Sequence, residues 1–235
     1  MNGLTKKLLF VGLLSVALAR TASATTAEMK LVSGGTTIII FDNGVDDSAL
    51  ATGVISYSNP NFNGWNVSVT SGVSNSPGIS PIGIDLTATV LTAGGHDPLD
   101  IFFSDINFSA PIGGFNTRYI TTVLGDGNTN EIAWANDSNT IFGLGASNVI
   151  GNVGPFSSPG GLDTKTGGPA AGGVPLYSLT LEQIINSNSA GFFSTDGDIT
   201  PTPEPASMIL FGTGLLGLAL VFFQRKRLGF PTSLV

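Results

Sequence analysis

The chain has 235 residues, of which 9 are Lys or Arg, 16 are Asp or Glu, one is His and none is Cys. The missing cysteines exclude disulfides, thiolate zinc sites, iron–sulfur clusters and a cysteine nucleophile, and a single histidine excludes any site that needs two imidazoles. The net charge of −7 argues against nucleic-acid binding, which needs a basic face.

The first 24 residues have the pattern of a secretory signal peptide. Lys6 and Lys7 form the positive start, and residues 8–19 are apolar but too few to span a bilayer. Ala22 and Ala24 then give the small-x-small pattern of a cleavage site, so we predict that signal peptidase cuts after Ala24. A buried N-terminal helix is the alternative, but it explains this order of features poorly.

Residues 25–200 are predicted to form one exported β domain. Apolar and polar residues alternate over 82–90, and 115–124 has apolar side chains on both faces, which predicts a strand covered on both faces. Further candidate strands, rich in Ile, Val, Thr and aromatic residues, are 36–41, 51–58, 64–70, 99–108, 130–135 and 176–185. Frequent turn signals and the lack of a clear amphipathic helix predict an all-β, antiparallel β-sandwich, with a jelly roll or barrel as the alternative.

Two segments of the domain are predicted to lie outside the strands. Residues 143–173 contain ten Gly and three Pro, which favours a long loop or a flexible insertion. Residues 195–205 are interpreted as a polar spacer. Between the two ends of the chain only Lys30, Arg118 and Lys165 are basic, against fifteen acidic residues, so the domain is strongly acidic.

The C-terminal tail has three parts in order. Pro203-Glu204-Pro205 cannot continue a strand or lie inside a helix. Ala206–Phe223 is an uncharged run of 18 residues, about 27 Å as a helix, and we predict that it spans the membrane. Arg225, Lys226 and Arg227 follow and would hold that end in the cytoplasm. A plain C-terminal anchor is the alternative interpretation.

This tail, behind a signal peptide, resembles the PEP-CTERM sorting signal over roughly residues 202–230. The resemblance implies that an exosortase, a membrane protease, recognises Pro203-Glu204-Pro205 and that the tail is removed on the way to the cell surface. It also implies a Gram-negative bacterium that makes exopolysaccharide, biofilm or flocs. The overhang 228–235 is longer than expected after the basic cluster.

Candidates for catalysis or metal binding are few. Paired acids of the kind used by glycosidases could come from Asp97, Asp100 and Asp105 or from Asp46-Asp47, but a solvated surface explains them as well. Asp126, Asn128 and Asn130 resemble half of a calcium loop, but Glu131 stands where the pattern needs Gly, and a hairpin turn fits equally. His96 has no nucleophile motif beside it, and we interpret it as a turn residue.

Aromatic residues leave a carbohydrate-binding function open. Tyr57, Phe62, Trp65 and Trp134 could stack on sugar rings if exposed, although core positions are the commoner place for them. We predict an exported, non-enzymatic surface or matrix protein, without cofactor, that associates with exopolysaccharide. The alternatives are a lectin-like carbohydrate-binding module, which needs an exposed Trp or Tyr, and a secreted hydrolase, which needs two carboxylates about 5 to 10 Å apart in a cleft.

Overall fold

A computed structural model describes residues 26–74, 83–108, 114–145, 148–167, 176–202, 210–219 and 222. Within them the chain forms twelve strands and a short helix at 210–219, here α1. The strands are β1 (Glu28–Ser33), β2 (Thr36–Phe41), β3 (Val54–Phe62), β4 (Trp65–Ser74), β5 (Ile84–Thr92), β6 (Leu99–Phe108), β7 (Phe115–Leu124), β8 (Gly127–Asn136), β9 (Val149–Ser157), β10 (Gly160–Gly167), β11 (Tyr177–Ser187) and β12 (Gly191–Pro201). The signal peptide predicted at 1–24 lies outside the described residues.

The strands form two six-stranded antiparallel sheets. Sheet A has the order β2-β1-β6-β11-β8-β9, and sheet B has the order β10-β7-β12-β5-β4-β3. The predicted β-sandwich is therefore confirmed. From β5 onward the chain crosses between the sheets at most connections, so strands that are adjacent in sequence often face each other instead of pairing.

Alternating hydrophobicity explains which side of each sheet is buried. In β5 the side chains of Ile84, Leu86, Ala88 and Val90 all point into the core. In β7 only the face bearing Phe115, Tyr119 and Val123 is fully buried, and Leu124 on the other face is 54% exposed. The expectation that both faces of this strand are covered is therefore wrong, because no further layer packs on sheet B outside β7 in the described structure.

The Gly-rich segment 143–173 is not the long loop that its composition predicts. β9 and β10 occupy 149–167, and they pair with the edges of the two sheets, β9 with β8 and β10 with β7. Glycine is needed here for packing: a Cβ on Gly161 would overlap the ring of Phe156, and a Cβ on Gly151 would lie 2.7 Å from Lys165 Cβ. The composition therefore reflects close approach of two edge strands.

The predicted spacer at 195–205 is also wrong over most of its length. Residues 195–201 belong to β12, which lies in the middle of sheet B between β7 and β5. The polar residues that favoured a spacer, such as Asp196 and Asp198, point away from the core on alternate positions, while Thr195 and Ile199 are buried. A strand with one exposed face carries such polar residues without being a linker.

The sandwich has two distinct ends, which we call proximal and distal. At the proximal end β1 begins and β12 ends. The carboxylate of Asp105 joins the two sheets there by accepting from Thr26 Oγ1 (2.9 Å) and Ser74 Oγ (2.6 Å), and Ser74 is aligned with Ile84 and Ile199 across sheet B. At the distal end lie the turn after β1, the turn after β3 and residues 93–98.

Candidate functional site

An open polar notch of about 520 Å³ lies at the distal end. It is lined by Ser33, Gly34, Thr36, Asn63, Gly95, His96 and Asp97. The carbonyl of Asp97 accepts hydrogen bonds from Trp65 Nε1 (3.1 Å) and Ser33 Oγ (3.2 Å), so the backbone under the notch is fixed. The exposed side chains of Asn63 and Asp97 and the half-buried His96 can offer amide, carboxylate and imidazole groups to a polar ligand.

His96 lies in the connection between β5 and β6, and its ring packs against the neighbouring turn. It lies against Gly64, where a Cβ would overlap it, and 6.3 Å from the ring of Trp65. A serine hydrolase would need a serine hydroxyl that donates to the imidazole. The hydroxyl of Ser33, the serine in the notch, donates instead to the Asp97 carbonyl.

Of the carboxylates that the sequence offered as catalytic pairs, Asp97, Asp100 and Asp105 lie in three different parts of the sandwich, and Asp46 and Asp47 share one loop. Asp97 lies at the distal notch, Asp100 on the outer face of sheet A, and Asp105 inside the proximal end. Asp47 accepts from the backbone N–H groups of Asn43, Ala49 and Ser56, each at 2.9 Å, so it holds its own loop. Its neighbour Asp46 is exposed on that loop.

The residues of the calcium pattern lie at the start of β8 and in the connection before it. Asn128 Oδ1 accepts from Asn186 Nδ2 at 3.1 Å, and Asp126 lies in the connection that carries the chain from sheet B to sheet A. This connection is not the hairpin that the sequence suggested, because β7 and β8 belong to different sheets. In the described ranges, no group of three or more Asp, Glu or His side chains could hold a metal ion.

The aromatic candidates for sugar stacking are buried. Trp65, Phe62, Trp134 and Tyr57 are at most 8% exposed, and Tyr119 and Tyr177 are buried as well. These residues include every Trp and Tyr of the sequence. The exposed Trp or Tyr that a stacking surface of that type needs is therefore missing from this sandwich.

At the proximal end, β12 leads directly into the Pro-Glu-Pro tripeptide. β12 ends at Pro201, and the backbone N–H of Thr202 donates to the carbonyl of Gly114 at 3.0 Å. Only Thr202 therefore separates the central strand of sheet B from Pro203. Pro203-Glu204-Pro205 itself and the basic cluster Arg225, Lys226, Arg227 lie outside the described residues, as do the cleavage-site residues Ala22 and Ala24.

The predicted membrane span 206–223 is described only in part. α1 covers 210–219, and its apolar side chains Leu210, Phe211, Leu215, Leu216 and Leu218 are exposed. No helix in the described part of the chain combines the length and apolar character needed to cross a bilayer. The remaining residues of the predicted span lie outside the description, so the span stays a prediction.

Residues 201–226 match the PEP-CTERM protein-sorting motif. The chain carries a PEP-CTERM sorting signal. The match begins at the last residue of β12 and contains the tripeptide, the apolar run and the first two basic residues, Arg225 and Lys226, in agreement with the resemblance seen in the sequence. A PEP-CTERM signal implies that the protein is exported and that an exosortase processes it.

Comparisons of the whole chain with other proteins give only distant likenesses. No curated protein sequence matches it. Among solved structures, TmCBM61 in complex with beta-1,4-galactotriose is similar at 10% identity and a TM-score of 0.33, with 60% of this chain and 90% of that chain covered. The family 11 carbohydrate-binding module of a cellulosomal cellulase of Clostridium thermocellum has 15% identity, a TM-score of 0.27 and coverages of 68% and 93%. The K1 adhesin domain of Lys-gingipain from Porphyromonas gingivalis W83 has 12% identity, a TM-score of 0.30 and coverages of 74% and 99%.

Beyond the sorting signal, sequence reasoning missed an acidic row on the outer face of sheet B. Asp198 lies opposite both Asp85 and Arg118 in the register, and Asp196 lies two residues earlier on the same strand. Arg118 Nε contacts Asp198 Oδ2 at 2.7 Å and its Nη2 lies 3.7 Å from Asp196. Partial burial, followed by the charges of Asp196 and Asp198, raises the pKa of Asp85 to about 6. Alternation within 195–201 was the signal that could have placed these residues on one strand face.

A second missed group lies on the outer face of sheet A. Lys30 Nζ lies over the rings of Phe102 (3.9 Å) and Phe142 (4.5 Å), so the ammonium is held by cation–π contacts. Burial, followed by the charge of Asp100, raises the pKa of the nearby Glu182 to about 7, although the charge of Lys30 opposes the shift. Phe142 reaches this face because its N–H donates to Ser104 Oγ at 3.1 Å. The contacts tie residues 137–145 onto the sheet.

Glu131 is the third missed residue, and it lies between the sheets. It is fully buried, its Oε1 accepts from Thr117 Oγ1 at 2.8 Å, and its Oε2 has no hydrogen-bond partner among the described residues. Burial raises the pKa of Glu131 well above its ordinary value. A Cβ on Gly197 would overlap Oε2, so glycine at 197 makes the space for this carboxyl.

Proposed function

We propose that this protein is a non-enzymatic cell-surface or extracellular-matrix protein whose β-sandwich is delivered by its PEP-CTERM signal and associates with exopolysaccharide. The observation that carries the proposal is the sorting-motif match at 201–226, which is joined to the central strand of the sandwich without a spacer. In this proposal the tail is the sorting signal, and the folded domain is the part that reaches the cell surface.

In this proposal each part of the two termini has one task. Residues 1–24 direct export and are removed after Ala24 by signal peptidase. Pro203-Glu204-Pro205 present an extended peptide to the exosortase, because prolines on both sides of Glu204 oppose regular structure. Residues 206–223 hold the intermediate in the inner membrane, and the charges of 225–227 keep the chain end in the cytoplasm.

A structural role for the polar groups supports the non-enzymatic part of the proposal. Asp105 accepts from two hydroxyl groups and from the N–H of Ile106 at 2.7 Å, and Asp47 accepts from three backbone N–H groups. These carboxylates stabilise loops and the contact between the sheets. A glycosidase would instead hold two carboxylates on either side of a cleft.

The test is to replace the tripeptide in the natural host. The triple variant Pro203→Ala, Glu204→Ala, Pro205→Ala should accumulate in the membrane fraction at the mass of the unprocessed tail, because the exosortase loses its recognition element. The control Pro231→Ala, a proline outside the matched residues, should be processed like the wild type. A triple variant that reaches the surface with the wild-type mass would contradict the proposal.

A lectin-like function is the second candidate, and the distal notch is the observation that favours it. Asn63, His96 and Asp97 form a polar concavity at the end opposite the tail, where a surface-delivered domain is accessible. Hydroxyl-rich ligands bind through such amide and carboxylate groups. This site would bind sugar by hydrogen bonds, since the Trp and Tyr rings are all in the core.

The lectin-like function is tested by binding to the host's isolated polysaccharide. Asp97→Asn should lower the affinity several-fold while the fold is kept, because the backbone carbonyl of Asp97 makes the structural bonds. Asp163→Asn, which changes an exposed acid away from the notch, is the matched control and should bind as the wild type does. Equal binding by Asp97→Asn would exclude the notch, and no binding by the wild type would exclude the lectin-like function.

A further inference from the structure

The chain enters and leaves the sandwich at the same end, the proximal one. β1 begins there at Glu28, and β12 ends there at Pro201. Asp105 ties the two sheets together at this level through Thr26 and Ser74. The two apolar segments of the sequence, 8–19 and 206–223, are therefore connected to the same end of the domain.

The connection to the C-terminal apolar run is short. Between Pro201 and Ala206 there are four residues, whose fully extended length is at most about 14 Å. Thr202 is still hydrogen-bonded to Gly114, which shortens the free part further. The headgroup layer on one side of a bilayer is about 5 to 8 Å thick. A tail that spans the membrane therefore brings the proximal end to the headgroups.

The proximal end carries several exposed apolar side chains. Val45 and Leu50 are 103% and 95% exposed in the loop between β2 and β3, and Phe41, the last residue of β2, and Leu176, just before β11, are exposed at the same end. The loop is held in shape, because Asp47 accepts three backbone N–H groups and Asp42 accepts from Gly53 N at 2.9 Å. Single exposed apolar residues are ordinary on protein surfaces, whereas here two lie on one loop whose shape is fixed, at the end of the sandwich where the chain leaves it.

The negative charge of the proximal end determines which lipid headgroups this end can contact. The same end carries Glu28, Asp42, Asp46 and Asp47, while the three basic residues of the domain lie within strands on its sides. These carboxylates would be repelled by anionic headgroups. Zwitterionic headgroups, such as phosphatidylcholine or phosphatidylethanolamine, allow the apolar side chains to enter the interface without that repulsion.

We propose that the proximal end, defined by Phe41, Val45, Leu50 and Leu176, is a lipid-contacting surface that rests on zwitterionic headgroups while the tail is in the membrane. This inference rests on the proposed function, in which residues 206–223 anchor an intermediate. Contact at the proximal end fixes the height of Pro203-Glu204-Pro205 above the bilayer and leaves the distal notch facing away from it.

The absence of cysteine makes a clean labelling experiment possible, since each introduced cysteine is unique. The full chain is reconstituted in phosphatidylcholine vesicles with an environment-sensitive fluorophore at Val45→Cys or Leu50→Cys, and with brominated lipid as the quencher. Leu124→Cys, which is exposed and apolar but at the distal end, is the matched control. Gly217→Cys in α1 reports whether the tail inserts.

The expected result is several-fold stronger quenching at 45 and 50 than at 124, together with quenching at 217, and weaker quenching at 45 and 50 when anionic lipid is added. Quenching at 217 alone would overturn the lipid-contact inference and leave the anchored tail intact. No quenching at 217 would overturn both. Energy transfer between labels at 45 on separate copies, without quenching by lipid, would assign the surface to self-association instead.

Discussion

Glu131 shows how a single residue can set the pH dependence of this fold. Its carboxyl is buried between the sheets with one hydrogen bond, from Thr117, and its pKa is raised by burial. The folded chain therefore binds this proton more readily than the unfolded chain does. The contribution of Glu131 to stability is complete below the ordinary Glu pKa of about 4.3 and is lost as the pH rises toward the raised pKa.

We predict that Glu131→Gln raises the melting temperature relative to the wild type at pH 8 and has little effect at pH 4.5, because the amide keeps the size of the side chain without the cost of a buried charge. The measurement is thermal unfolding over pH 4.5–8. Asp46→Asn, an exposed control, should follow the wild-type curve. Parallel curves for Glu131→Gln and the wild type would contradict this prediction, because they would show that Glu131 has the same pKa in the folded and unfolded chains. Asp85 and Glu182, whose pKa values are raised to about 6 and 7, give the remaining wild-type slope the same sign.

At the scale of strands, the sequence predicts the core well and misses the strands whose residues are Gly-rich or polar. The alternation over 82–90 corresponds to β5, because one face of that strand is filled with Ile, Leu, Ala and Val. β9 and β10 were not predicted, because their glycines are needed where the two strands pack closely, as at Gly161 against Phe156. Such glycines look like loop residues in the sequence. The sequence related Glu131 only to an incomplete calcium pattern. Its buried position could not be predicted, because its hydrogen-bond partner Thr117 belongs to the other sheet. The hydrophobic alternation of one strand does not show which residues of the other sheet it will contact.

β12 provides the sharpest test at this scale. A chain of residues 26–202 should fold, whereas a chain of residues 26–194 should not, because the second loses the half of the central strand that pairs with both β5 and β7. The measurement is far-UV circular dichroism with a cooperative thermal transition. A folded 26–194 chain would restore the interpretation of 195–205 as a spacer.

At the scale of the whole molecule, the two termini and the sandwich have separate functions that overall composition hides. The net charge of −7 is the sum of basic terminal segments and an acidic domain that has only three basic residues. The sorting signal could be predicted from the sequence, since it is a local pattern that its own residues define. The notch at the distal end could not, because Ser33, Asn63 and Asp97 meet only through the fold.

The central claim is that this exported domain is released from its tail at Pro203-Glu204-Pro205. Mass spectrometry of C-terminal peptides from the natural host's envelope and medium tests it most directly. We predict that the surface form ends near Pro205 and lacks every peptide from 225–235, in a manner that depends on a membrane protease. Intact 225–235 peptides in the mature surface form would contradict the claim and leave the tail as a plain anchor.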